Sequence, residues 1–111
     1  MLTEQPILIT SITSKEPAGA LKNRFINFDG VYSSDGQKSL GVSNADTDQG
    51  EMLPVTCKGI ALVLTGDAIS LDSGMQTTDD GYAIVKAAGP LEGYAMDAAT
   101  GAGQLIRIVL S

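Results

Sequence analysis

Glycine recurs along this chain at the points where the chain would have to reverse, 13 times in 111 residues. Several of these glycines follow an aspartate, as in Asp29-Gly30, Asp35-Gly36 and Asp80-Gly81. Such pairs readily supply the positive φ that a tight reversal between strands needs. A chain punctuated in this way disfavours long helices, and no stretch places apolar residues at a helical period. The expectation is an all-β fold of short strands around a single core. A chain of this length can bury about two thirds of the surface its unfolded form exposes.

The strands can be placed roughly. Arg24 to Phe28 reads as a short strand entering a turn at Asp29-Gly30, with a return strand through Val31 and Tyr32. Leu40-Gly41-Val42 is a further short strand, and Ser43 to Gly50 is a polar loop. From Glu51 the pattern alternates: Leu53, Val55 and Cys57 fall on one side, Thr56 and Lys58 on the other, which points Cys57 inward as a structural thiol. Gly59 to Leu64 is apolar on both faces, as in a strand covered on each side. Asp67 to Leu71 reads as another strand, and Asp79-Asp80-Gly81 as a turn into Tyr82 to Lys86. Gly93 to Met96 is extended, Asp97 to Ala99 suits one helical turn capped by Asp97, and Gln104 to Leu110 closes the chain as a strand.

The first 22 residues differ from the rest. Pro6 and Pro17 oppose regular helix, and the β-branched stretch from Ile7 to Thr13 favours extended chain. The segment 1–22 is read as an extended N-terminal arm and 23–111 as the β domain, the alternative for the arm being an ordinary first strand paired within the domain. Leu2, Pro6, Ile7, Leu8 and Ile9 are apolar residues of the arm that need cover, and another protein could supply it. They are the candidate binding residues. On the arm reading, removal of 1–22 abolishes binding and spares the fold.

Familiar chemistry is hard to find here. With no histidine in the chain, Ser-His and Cys-His nucleophile pairs and His-containing zinc sites are excluded. Asp79 with Asp80, or Asp46 with Asp48, could act as acid and base, but adjacent turn carboxylates are usually solvated. Asn44, Asp46 and Asp48 begin like a calcium loop, yet Gln49 takes the position that requires Gly and Val55 the one that requires Glu. Gly101-Ala102-Gly103 lacks the third glycine of a dinucleotide fingerprint and reads as a turn. No catalytic residue, metal site or cofactor is assigned.

The charge balance argues about partners. Seven basic residues against thirteen acidic ones leave a net charge of -6, which repels phosphate backbones and disfavours nucleic acid. No apolar run approaches the length of a membrane span, and the N-terminus lacks the features of a signal peptide. The single cysteine, Cys57, cannot form a disulfide within the chain, which suits synthesis in a reducing cytoplasm.

The order of several short motifs resembles the capsid decoration, or cement, proteins of tailed bacteriophages. The residues are Arg24-Phe25-Ile26-Asn27-Phe28-Asp29-Gly30, Leu40-Gly41-Val42, Gly50-Glu51 with Pro54-Val55, and Gly59-Ile60-Ala61. The likeness continues through Gly66-Asp67-Ala68-Ile69 and Asp79-Asp80-Gly81. It ends with Gly93-Tyr94-Ala95-Met96-Asp97-Ala98-Ala99, Gly103 and Ile106-Arg107-Ile108-Val109-Leu110. It spans roughly Arg24 to Leu110. Met96, where the family often has Leu, and Asp72-Ser73-Gly74-Met75 depart from the pattern.

The resemblance implies a virion protein on the outer surface of the head, often a homotrimer, that binds the major capsid protein and has no catalytic residues. It also implies a clipped-barrel (β-clip-like) fold with an N-terminal arm that orders on the capsid. A different function class stays open at this point, a small β-barrel module that recognises a glycan or peptide, although the absence of Trp and the few aromatics argue against it.

Overall fold

The computed structural model describes residues 5–17, 19–87 and 89–110, with Pro6 and Ile7 described through their backbone. Among these residues the regular elements are β1 (Gln5–Thr13), β2 (Phe25–Ile26), β3 (Gly41–Ser43), β4 (Met52–Leu64), β5 (Gly74–Thr77), β6 (Ala83–Val85), β7 (Gly93–Ala95) and β8 (Leu105–Leu110), with a 3-10 turn at Asp79–Gly81. All eight strands belong to one sheet in the order β2-β3-β4-β8-β7-β5-β6, and β1 joins it by pairing with β4. A parallel bridge from Thr65, just past β4, to Ala83 in β6 brings the far end of the sheet back to its middle. The fold is therefore all-β and barrel-like, nearly closed on itself, and closure protects most of its edges.

The long strand β4 organises the barrel. Thr56 pairs with Ile9 of β1 on one edge and Val42 of β3 on the other, and Ile60 pairs with Gln5 of β1 and Val109 of β8. Gly59, at φ 101°, sits between these two regions, and the β1–β4 register shifts on either side of Leu8. Such irregularities change which face alternate side chains occupy. Before Gly59, Leu53 and Val55 enter one core with Ala20 and Ile26; beyond it, Ala61 and Val63 enter a second with Phe25, Val42, Met75, Ile106 and Ile108.

This bend explains a departure from simple alternation. Thr56, expected to face outward, is 1% exposed. It lies directly opposite Val42, on the same face as that core residue, with β1 closing its other edge. Cys57 is half-buried and packs against the smaller core, as the inward reading expected.

Two other local expectations fail for identifiable reasons. Asp67 to Leu71 forms only an isolated bridge, Ile69 to Ala99. Asp97 caps no helical turn, because β8 claims its carboxylate: Arg107 donates from its backbone N–H at 2.9 Å, from Nε at 3.0 Å and from Nη2 at 2.9 Å. These hydrogen bonds, led by those of the guanidinium, lower the Asp97 carboxyl from 3.8 to about 2. A carboxylate depressed in the folded state adds stability that is complete above its unfolded value and is lost as pH falls through its folded value. Asp97→Asn is therefore expected to lose roughly 1 kcal/mol near neutral pH, a value kept small by solvent screening. Chemical denaturation at a series of pH values should show that loss holding above about pH 5 and vanishing as pH approaches about 2. A loss that persists at the acid end would show that packing, not the charge, is responsible.

Candidate functional site: the open edge of β1

β1 has a single strand neighbour among the described residues. Its register with β4 runs from Gln5 opposite Ile60 to Thr13 opposite Met52, which leaves the other edge without a sheet partner. An unpaired edge presents backbone N–H and C=O groups ready to bond another strand. Leu8 and Ile9 lie consecutively on this strand, 52% and 43% exposed. Gln5, Thr10 and Ser11 are exposed as well, so the strand lies open to solvent along much of its length.

Within the segment set apart by sequence, Gln5–Thr13 is thus extended chain, paired along β4. Of the candidate residues, Pro6, Ile7, Leu8 and Ile9 fall within β1, and Leu2 lies outside the described residues. The same segment is also woven into the fold: Ile12 packs against the smaller core and Ala20 belongs to it, with Ala20 bridged to Thr47. Removing 1–22 would strip β4 of one neighbour and open that core.

The carboxylates considered for chemistry have structural employment. Asp79 Oδ1 accepts from the Asp35 backbone N–H at 3.1 Å, and Asp46 Oδ1 from that of Lys22 at 2.9 Å. The backbone of Asp80, at φ 63°, carries the bend of the 3-10 turn. Buried Glu92 accepts from Lys38 Nζ and the Ser39 N–H, each at 2.8 Å. No group of metal-ligating side chains occurs among the described residues, nor is any helix there long and apolar enough to cross a membrane.

Sequence reasoning missed one charged side chain. Arg24, 9% exposed, lies between the rings of Tyr32 and Tyr82, its guanidinium 4.9 Å and 4.2 Å from their centroids. Its Nη1 donates to the Asp80 carbonyl at 3.0 Å. The pairing joins residues 56 positions apart in sequence, and no local pattern announces it. Its place in the interior makes it a clamp between the two ends of the barrel.

Residues 5–110 match the family model described as phage cement protein. The chain belongs to the phage cement protein family. That match begins at β1, well before the Arg24 at which the sequence likeness became readable, so the first strand is part of what the family shares. This cement protein also has the fold of a solved structure, the head fiber gp8.5 N base in bacteriophage phi29. The two align with a TM-score of 0.77 and 20% identity, over 94% of this chain and 95% of that one. No curated protein matches the chain. Family membership makes it a structural protein associated with the phage head.

Proposed function

We propose that this cement protein binds the exterior of the head and stabilises the capsid lattice by bridging adjacent major capsid proteins, as a homotrimer and without catalysis. The observation that carries the proposal is the open edge of β1. A capsid strand laid along it would gain a ladder of backbone hydrogen bonds, while Leu8 and Ile9, with Leu2, Pro6 and Ile7 of the same segment, fill apolar recesses. Copies repeated over a lattice act together through high effective concentration, so each contact can be modest. The acidic balance of the chain suits a protein partner better than the packaged genome.

Because 1–22 contributes to the core, point changes test the edge better than deletion. Leu8→Lys with Ile9→Lys places two charges on side chains already exposed, so thermal unfolding should stay close to that of the parent protein. Binding to purified heads, measured by co-sedimentation, is expected to fall by more than about tenfold, since buried unpaired charges are strongly disfavoured at an interface. Undiminished saturation of heads by the double variant would rule out β1 as the docking edge.

A further inference from the structure

One exposed aromatic stands beyond this edge. Phe28, read from sequence as the end of a strand, is instead 64% exposed on a turn between β2 and the bridge that Tyr32 makes back to Ile26. The turn is built to hold its shape. The side chain of Asn27, itself buried, accepts through Oδ1 from the backbone N–H groups of Asp29 at 2.9 Å and Val31 at 3.3 Å, and its Nδ2 donates to Gln37 Oε1 at 3.3 Å. The Asn27 N–H donates to the Val31 carbonyl at 2.9 Å, and Gly30 N–H to the Asn27 carbonyl at 3.3 Å.

The turn is also fastened to the end of β1, on its open side. Ser14 N–H points to Glu51 O at 2.8 Å, continuing the ladder with β4, and the next N–H, of Lys15, donates to Gly30 O at 3.0 Å. Successive N–H groups of extended chain point to opposite edges. Gly30 therefore lies on the edge of the chain away from β4, and a strand running along the free edge of β1 would end against the turn that carries Phe28.

We propose that Phe28 is an aromatic anchor that inserts into an apolar recess of the major capsid protein whose strand lies along β1. The inference rests on the docking proposed above and adds its specificity-determining residue. The N–H groups of Asn27, Asp29, Gly30 and Val31 are all bonded within the turn, and Phe28 presents the exposed apolar surface it offers a partner. A ring carried on a fixed backbone turn loses only its side-chain freedom on binding, and aromatic residues at interfaces carry a large share of affinity. The capsid protein is the occupant favoured over other partners because the turn is continuous with the edge that it would pair.

The test compares Phe28→Ala, Phe28→Leu and Leu71→Ala with the parent protein in binding to purified heads, with thermal unfolding as the fold control. Leu71, 58% exposed, trims a comparable apolar side chain on a different turn. The expected result is a loss of affinity of at least about tenfold for Phe28→Ala, partial retention for Phe28→Leu, parent-like binding for Leu71→Ala, and unchanged unfolding for all three. Parent-like binding of Phe28→Ala overturns the anchor while leaving cementing through β1 intact. An equal loss in Leu71→Ala overturns it too, by showing that any apolar trimming weakens attachment. If the parent protein itself does not bind heads, both proposals fail.

Discussion

Arg24→Ala is expected to lower the unfolding free energy by about 3 kcal/mol, combining a lost charged hydrogen bond with two lost cation–π contacts. The guanidinium is buried between Tyr32 and Tyr82 and bonded to the Asp80 carbonyl, and truncation would leave the two rings facing a void. Tyr32 is itself tied down, since its hydroxyl accepts from the Leu21 N–H at 2.8 Å. Arg24→Lys should recover less than half of the loss, because a compact ammonium cannot stack on both rings and reach the carbonyl together. Urea denaturation measures both variants. A cost below about 1 kcal/mol for Arg24→Ala would show that the sandwich contributes no more than an exposed contact.

Gly30→Ala should cost a similar amount, about 3 kcal/mol, for two reasons that add. Gly30 has φ 86°, in the left-handed region, where a residue with a Cβ is disfavoured by about 1–2 kcal/mol. A Cβ there would also lie 2.2 Å from the carbonyl oxygen of Thr13, so the turn would have to move away from β1. Gly36→Ala separates the two contributions. Its φ is 75°, but a Cβ there meets nothing within 4 Å, so only the conformational cost of about 1 kcal/mol should appear. Thermal unfolding of the pair reads the difference, and equal shifts would mean that the contact with Thr13 relaxes freely. On the docking proposed above, a turn displaced from the end of β1 would also misplace Phe28, so Gly30→Ala should weaken head binding as well.

These two positions lie close together in the fold, Arg24 before β2 and Gly30 in the turn after it. The clamp of Arg24 holds the start of β2 to the 3-10 turn at Asp79–Gly81, and residues a few positions further along the chain present Phe28. The barrel therefore joins the turn that carries Phe28 to the end of the open strand β1 through the Lys15 to Gly30 hydrogen bond.

Much of the fold was legible because its signals are local. Asp-Gly pairs marked the reversals, and Gly30, Gly36 and Gly81 do adopt positive φ. Alternation from Leu53 located β4, and the β-branched stretch after Pro6 announced extended chain. Asp97 misled because a capping residue and a carboxylate awaiting a distant arginine look alike when only neighbours are visible. Thr56 misled because period-2 alternation assumes a regular strand, and the irregularities around Gly59 break that assumption.

The candidate site was half visible. Ile7, Leu8 and Ile9 stood out as apolar residues in a segment unlike the rest, yet whether that segment hangs free or lies in a sheet depends on β4, which pairs Leu8 with Lys58 and Ile9 with Thr56, far along the chain. Phe28 and Arg24 were concealed within what looked like an ordinary strand.

Short-range chemistry was enough to establish strands over helices, the places of the turns and the poverty of reactive side chains, because each depends on backbone preference or residue type. Which edge of the sheet remains open, which aromatic is left in solvent and which arginine is stacked in the interior were decided by packing between distant segments. Those outcomes depend on which strand lies beside which, and that is a property of the closed barrel.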